Sequence, residues 1–279
     1  MHGKTWHASL QLDYTQEAGR SVARFLHQGP LRILQSLYPE GDAVCHNVLV
    51  HPPSGLVGGD TLDMQVTVGP GAHGLVTTPG ATRFYRSEAG LATQQVHARL
   101  AAGARLEWLP LEAIAYNGCD GLNRAVFELA PGAELISWDI TALGLPAADL
   151  PYVQGTFRQH LEIPGVWLER GTIQAADSRL MNSPLGLAGQ RCMATLVFAA
   201  GSAIAAERSE RALACARELL DASELRLSAG ATSPHPQVIV LRVLSPVTEP
   251  AMQLLRQVWA AWRHALWGLP GTLPRLWHL

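Results

Sequence analysis

Residues 51–87 read HPPSGLVGGDTLDMQVTVGPGAHGLVTTPGATRFYRS, and this stretch decides the fold class. Over residues 62–68, apolar side chains alternate with polar ones, which is the period of a strand with one buried face. Gly58 and Gly59 stand just before this strand, where glycine permits tight turns at no side-chain cost. The sequence therefore predicts a β-strand entered through a glycine turn, with Asp60 held where the strand begins.

The same stretch contains a match to the dinucleotide-binding pattern G-x-G-x-x-G at residues 69–74. Such a loop must open a helix whose N-terminus meets the pyrophosphate. Here residues 75–80, LVTTPG, form a short β-rich run that ends in a turn at Gly80. We therefore interpret these glycines as turn residues and reject a nucleotide site.

Strand-like alternation recurs in the first two hundred residues, and a weak repeat separates the strands. The alternating segments are 6–14, 96–100 and 157–163, and the repeat units are 68–72, 100–104 and 129–133. The central glycines of the repeat are 32 and 29 residues apart, which favours stacked β-coils. An antiparallel β-protein that uses a common turn three times is the alternative.

The C-terminal part predicts a helix, a strand and a second helix. Ser209 can cap a helix over 209–220, and residues 238–244 form a β-branched strand. Thr248 is a candidate N-cap for the second helix, which Gly268 ends. Its tryptophans predict either a core face or an exposed face for a partner: Trp259, Trp262 and Trp267.

Composition excludes several classes of function. The net charge is −2 without a basic stripe, so neither nucleic acid nor an anionic membrane is favoured as a partner. Residues 1–13 lack the apolar core of a signal peptide, and the longest run without Asp, Glu, Lys, Arg or His, 192–206, is too short to span a membrane. We therefore expect a cytoplasmic protein. Only 16% of residues are charged, which fits either a surface covered by partners or a general bias toward Ala, Gly and Leu.

Cysteines and histidines give little support for a fixed metal site. The cysteines are scattered without a C-x-x-C pair: Cys45, Cys119, Cys192 and Cys215. Cys45, His46 and His51 are near one another, but adjacent strand residues point to opposite faces, so Cys45 and His46 should not share a metal. We expect no stably bound cofactor.

The chain lacks the motifs G-x-S-x-G, G-x-x-x-x-G-K-[ST] and H-E-x-x-H. What stands out instead is a set of acidic and hydroxyl residues beside apolar sequence at strand ends and turns: Asp60, Thr78, Tyr85, Glu112, Asp139 and Glu169. Burying a carboxylate without a partner costs several kcal/mol. Each of these residues therefore pairs with an arginine such as Arg83, Arg86 or Arg170, bonds at a turn, or lines a wet interior.

The motifs along the chain resemble, in order, those of the UreD family of urease accessory proteins, also called UreH. They include the stretch 51–87 and the following segments: 29–32 GPLR, 37–41 LYPEG, 106–112 LEWLPLE, 168–170 LER and 183–189 SPLGLAG. Ser54 and Arg83 depart from the residues common in the family. Residues 144–149 lack the Arg and Glu that many members carry, which weakens any transfer of residue roles in that loop.

We expect a mostly β fold of stacked, β-helix-like strand layers with two α-helices toward the C-terminus; the resemblance implies the elongated β layers, and the sequence pattern predicts the helices. It would be one elongated domain over 1–279, with a β-rich body over 1–205 and a helix–strand–helix part over 206–279 packed on it. We take Gly58, Gly59 and Gly80 as its structural turn residues.

The resemblance also implies a non-enzymatic chaperone or scaffold for nickel insertion. Such a protein bridges apo-urease to UreF and the GTPase UreG, in a 2:2 assembly with UreF, and lets nickel pass during metallocentre assembly. The acidic and hydroxyl residues named above would line that passage and hold nickel only in transit. The alternatives are a plain scaffold without a passage and a β-solenoid carbohydrate-active enzyme using Asp60, Asp63 or Glu112 as a carboxylate pair.

Overall fold

The computed structural model describes residues 6–88 and 90–278. Strands make up 49% of it and form a stacked β-solenoid of about four turns, which confirms the predicted layers. The strands are β1 (His7–Glu17), β2 (Arg20–Gln28), β3 (Arg32–Leu37), β4 (Cys45–Val50), β5 (Gly55–Leu56), β6 (Thr61–Val68), β7 (His73–Thr77), β8 (Thr82–Phe84), β9 (Ala92–Leu100), β10 (Arg105–Leu109), β11 (Ala113–Ala115), β12 (Cys119–Leu129), β13 (Glu134–Leu145), β14 (Leu150–Pro151), β15 (Gly155–Ile163), β16 (Trp167–Gln174), β17 (Cys192–Ala200), β18 (Ala229–His235) and β19 (Val238–Ser245).

Three α-helices accompany the strands. They are α1 (Ser178–Asn182), α2 (Ala206–Asp221) and α3 (Thr248–Trp262), and a π-helical turn, Arg263–Trp267, continues α3. Short 3₁₀ turns cover Pro146–Ala148 and Arg275–His278. None of the described helices is long and apolar enough to cross a membrane.

Two large sheets face each other. Sheet A has the strand order β16-β15-β12-β9-β6-β1-β2, and the main path of sheet B is β18-β19-β17-β13-β10-β7-β4-β3. Successive coils of the solenoid, β6–β7, β9–β10 and β12–β13, add parallel strands to both sheets in register. The run after residues 69–74 is β7, not a helix, so the dinucleotide pattern lacks its helix.

The three repeat units are stacked turns. Gly71, Gly103 and Gly132 all have positive φ, between 71° and 79°, a conformation that favours glycine. A Cβ on Gly103 would lie 3.8 Å from the nitrogen of Gly71, and one on Gly132 would lie 3.6 Å from the nitrogen of Gly103. Ala101 N donates to Val68 O at 2.9 Å across two of these turns. The spacing of the glycines therefore equals the number of residues in one coil. The prediction of stacked coils is confirmed, and the alternative of repeated antiparallel turns is wrong.

The core has two layers because sheet B is buried on both faces. Its inner face packs on sheet A, and its outer face packs on α2 and α3. The three tryptophans predicted for the second helix are buried in the outer layer, which confirms the core interpretation. The polar face of sheet A, by contrast, is open to solvent on the side away from sheet B, as the half-buried pattern of β6 shows.

Several element boundaries differ from the predicted ones. Helix α2 begins at Ala206, and Ser209 N donates to Ala205 O at 3.0 Å, so Ser209 lies in the first turn and does not cap it. Thr248 is likewise the first helical residue of α3, with Val247 in the cap position. Trp6 precedes β1 and is 54% exposed, so it does not share the buried face of that strand. Strand β18 and the short α1 were not predicted.

The glycine turn ahead of β6 also forms. Gly59 has a φ of +88°, and Asp60 N donates to Val57 O at 3.0 Å. The turn stacks on the next coil, because a Cβ on Gly90 would lie 3.2 Å from the nitrogen of Gly59. Gly80 lies in a bend with ordinary φ and open space around it.

Candidate functional site

Three amide side chains of sheet A form a ladder on its inner face. Gln94 on β9, Asn123 on β12 and Gln159 on β15 are direct neighbours across the parallel strands. Gln94 Nε2 donates to Asn123 Oδ1 at 3.1 Å. At one end, Thr82 Oγ1 donates to Gln94 Oε1 at 2.9 Å. A row of amides and hydroxyls therefore runs along the solenoid between the two sheets.

Sheet B presents a matching row. Asp139 on β13 is the cross-strand neighbour of Thr195 on β17, which in turn pairs with Arg242 on β19. Asn123 Nδ2 donates to Asp139 Oδ2 at 3.3 Å, and Gln159 Nε2 lies 3.4 Å from Asp139 Oδ1. Gln159 also donates to Thr141 Oγ1 at 2.7 Å. The Asp139 carboxylate is thus the point where the two rows meet.

The surroundings of Asp139 disfavour its charge. Burial raises the pKa of Asp139 to about 6, and the nearby negative charge of Glu169 acts in the same direction. Hydrogen bonds from Gln159, Asn123 and Thr141 lower that pKa in part. A divalent cation would supply the positive charge that this carboxylate lacks.

Glu169 on β16 connects the row to solvent. Thr195 Oγ1 donates to Glu169 Oε1 at 3.1 Å, and Arg242 Nη2 lies 3.0 Å from Glu169 Oε2. These residues border an open cavity of about 530 Å³. We call this end of the row the Glu169 mouth.

Two small cavities lie further along the row. One of about 20 Å³ has Gln94, Asn123 and Asp139 among its mostly apolar lining residues, and the next, of about 100 Å³, has Gln94, Thr78 and His51 among its lining residues. These two cavities and the open cavity at the Glu169 mouth are each lined by at least one residue of the row or by a residue hydrogen-bonded to it. Together they outline a polar track from the Glu169 mouth to the Thr78 end.

Thr78 is held firmly at its end of the track. Its Oγ1 donates to Gly80 O at 3.0 Å and accepts from Leu111 N at 2.9 Å. His51, in the same cavity, has a pKa lowered by burial, although the negative charge of Asp60 acts in the opposite direction. A neutral imidazole beside hydroxyls leaves this end without a fixed positive charge.

Asp60 and Tyr85 lie in the wall rather than on the track. Asp60 Oδ1 accepts from Trp6 N and Oδ2 from Val57 N, both at 3.0 Å, so its carboxylate closes the glycine turn. Tyr85 packs on Tyr116 with ring centroids 4.9 Å apart. Both residues shape the coil that carries Thr82.

Glu112 borders a separate groove of about 770 Å³ beside α3. Burial raises the pKa of Glu112, and the negative charge of Glu249 adds to the effect, while the positive charge of Arg256 acts in the opposite direction. Leu111 lines both this groove and the cavity at Asp139. The groove is therefore separated from the track by one leucine.

No cluster of three or more His, Cys, Asp or Glu side chains that could hold a metal occurs among residues 6–88 and 90–278. Cys45 belongs to the inner core, whereas His46 Nε2 bonds to Glu40 Oε1 at 2.7 Å on the outer face of sheet B, so the two point apart as predicted. Asp63, considered for a carboxylate pair, bonds to Gln65 on the outer side.

Comparison with known proteins identifies the family. The family model described as "UreD urease accessory protein" matches residues 7–278. The chain belongs to the UreD family of urease accessory proteins. It is 66% identical to the urease accessory protein UreD of Variovorax paradoxus over 273 residues, which cover 98% of this chain and 99% of that relative. The UreD proteins of Leptothrix cholodnii and Methylibium petroleiphilum are 54% and 48% identical, each over 98% of this chain and 99% of theirs.

In this UreD-family chain, the sequence prediction missed most of the track. The residues it did not single out are Thr82, Gln94, Asn123, Gln159, Thr195 and Arg242. A usable signal was present for all of them except Asn123, since each of the others occupies a strand position with a buried apolar side chain two residues away. Polar residues at such inward positions are the feature that marks the interior of this solenoid.

Proposed function

We propose that the chain is a non-enzymatic chaperone for nickel insertion that acts in the cytoplasm. It bridges apo-urease to UreF and UreG, in a 2:2 assembly with UreF, and nickel crosses it between the two sheets on the way to the urease metallocentre. Family membership over residues 7–278 supports the urease role, and the polar track supports the passage. Nickel is the cargo, and the chain keeps no resident cofactor.

The chemistry of the track suits a cation in transit. Clusters of imidazole and thiolate bind late first-row divalent ions tightly and would trap nickel. Asp139 and Glu169 are instead spaced along a row of amides and hydroxyls. Carboxylates attract a hydrated dication while hydroxyls and amides exchange with its water shell, and conduction needs binding that is favourable but weak enough for release.

The passage residues predicted from the sequence have three different roles in this proposal. Thr78, Asp139 and Glu169 contact the nickel ion or its water shell. Asp60 and Tyr85 hold the wall in shape, and Glu112 attracts cations to the groove next to Leu111. The observation that carries the passage is the row joining Glu169, Asp139 and the amide ladder.

The test compares urease activation by wild type and by Asp139→Asn/Glu169→Gln, which keeps side-chain size but removes both charges. Chains are co-expressed with urease, UreF and UreG, and co-purification is scored first. We expect unchanged assembly and at least a tenfold loss of nickel-dependent urease activity. Asp63→Asn is the matched control, because its carboxylate lies on the outer side of sheet A, and it should activate as wild type does.

Two results would contradict the proposal. Full activation by the assembled double variant would eliminate the passage and favour the plain scaffold. Failure of wild type to co-purify with any of UreF, UreG and apo-urease would eliminate the bridging role.

A further inference from the structure

A guanidinium covers the Glu169 mouth. Arg242 Nη2 lies 3.0 Å from Glu169 Oε2, and the Arg242 side chain is 57% exposed against 22% for Glu169. The guanidinium carbon also lies 5.4 Å from the ring centre of Trp167. The arginine is therefore the more solvent-exposed member of the pair, held by a carboxylate on one side and an aromatic ring on the other.

The position of Arg242 follows from strand register. Arg242 pairs with Thr195, and Thr195 pairs with Asp139, so all three stand in one row across sheet B. Strand alternation places directly paired residues on the same face of a sheet. The row that carries the buried carboxylate therefore ends, toward solvent, in a positive charge.

This arrangement opposes the approach of a metal ion. The positively charged guanidinium occupies Oε2 of Glu169, while Thr195 Oγ1 donates to Oε1, so both oxygens that would otherwise coordinate a cation have a partner. It also repels a dication by charge. At the same time, exposed ion pairs are weak, and the cavity of about 530 Å³ beside Arg242 gives its side chain room to turn away.

We propose that Arg242 is an electrostatic latch at the Glu169 mouth, which keeps the Glu169 carboxylate from binding divalent cations until the guanidinium is displaced. This inference rests on the proposed function, since it concerns the mouth of the nickel passage. Arg242 is a positioning residue that acts through Glu169 and does not itself bind nickel.

The test titrates the full-length chain with NiCl₂ by calorimetry. Replacing Arg242 with Gln removes the competing charge, so we expect Arg242→Gln to raise the affinity for Ni²⁺ by about 3- to 10-fold. The gain should vanish in Arg242→Gln/Glu169→Gln. Arg170→Gln is the matched control, because Arg170 is the next residue of β16, is exposed and points away from Glu169, and it should leave the affinity unchanged.

Two outcomes would overturn the latch: an affinity of Arg242→Gln within twofold of wild type, or a gain that persists without Glu169. Arg242→Lys keeps the charge but loses the planar fork, and it should show a smaller gain than Gln; circular dichroism checks that each variant is folded. The passage itself is judged separately by urease activation with Asp139→Asn/Glu169→Gln. Loss of activation there together with an unchanged Ni²⁺ affinity of Arg242→Gln would reject the latch and retain the passage.

Discussion

Asp139 makes the stability of the molecule depend on pH. Its pKa is raised from the ordinary 3.8 to about 6, so between these values the folded chain holds a proton that the unfolded chain has lost. The contribution of this group to the free energy of unfolding therefore falls as the pH rises from 4 to 7. Asn cannot titrate. We therefore expect the difference in the free energy of unfolding, Asp139→Asn minus wild type, to be about 1–3 kcal/mol more favourable to the variant at pH 7 than at pH 4.

Urea unfolding of both chains at pH 4 and pH 7 measures this difference. Comparing the two chains at each pH cancels the titration of groups that do not interact with Asp139. Asp63→Asn serves as the control, since its carboxylate lies outside the track, and its difference from wild type should not change by more than about 0.5 kcal/mol. An equal stability difference for Asp139→Asn at both pH values would show that the carboxylate is not disfavoured in the folded chain.

The individual residues were only partly predictable from the sequence. Asp60 was identified as an unusual carboxylate, and the structure explains it by two backbone donors, which no pattern could specify because they come from Trp6 and Val57. For Glu169 the sequence left three alternatives open, namely pairing with an arginine, hydrogen bonding at a turn and lining a wet interior. Its partner Arg242 is 73 residues away, and because β16 belongs to sheet A and β19 to sheet B, only the packing of the two sheets brings them together.

At the scale of elements, the turns between coils fix the spacing of the solenoid. Gly103 has a φ of +71° and lies between the turns of Gly71 and Gly132. A residue with a Cβ is strained there, so we expect Gly103→Ala to lower the free energy of unfolding by about 1–2 kcal/mol. Urea unfolding of wild type and variant measures this loss. Gly171→Ala is the control, because Gly171 has ordinary φ and open space, and a similar loss there would contradict this explanation.

The elements that could be predicted are those with local signals. Strand alternation located β6, β9 and β15, and the repeated glycines gave the number of residues in each coil. The edges of helices were less certain because capping depends on the conformation of the residue before the helix, as at Ala205. Strand β18 was missed since its sequence, AGATSPH, has little apolar alternation and it forms by pairing with β19.

At the scale of the whole molecule, a buried charged cluster joins the two ends of the chain. Arg263 is fully buried after α3, and its Nη atoms lie 2.7 and 3.1 Å from the Glu40 carboxylate, which follows β3. Its Nε lies 3.3 Å from Glu107 on β10, in ion-pair range but not in hydrogen-bond geometry. Burial acts to raise the pKa of Glu40, but hydrogen bonds from His46 and Arg263 hold it below its usual value.

This cluster should act as a clamp between the helices and the solenoid. Arg263→Met would leave two carboxylates buried without their cation, so we expect a loss of about 3–5 kcal/mol in the free energy of unfolding. In a double-mutant cycle, Glu40→Gln should recover at least about 1 kcal/mol of that loss, since one buried charge is then gone. The control is Arg24→Met, which breaks an exposed pair with Glu17 and should cost no more than about 1 kcal/mol. Additive losses for Arg263 and Glu40, or equal losses for Arg263→Met and Arg24→Met, would show that the C-terminal helix docks through its apolar face alone.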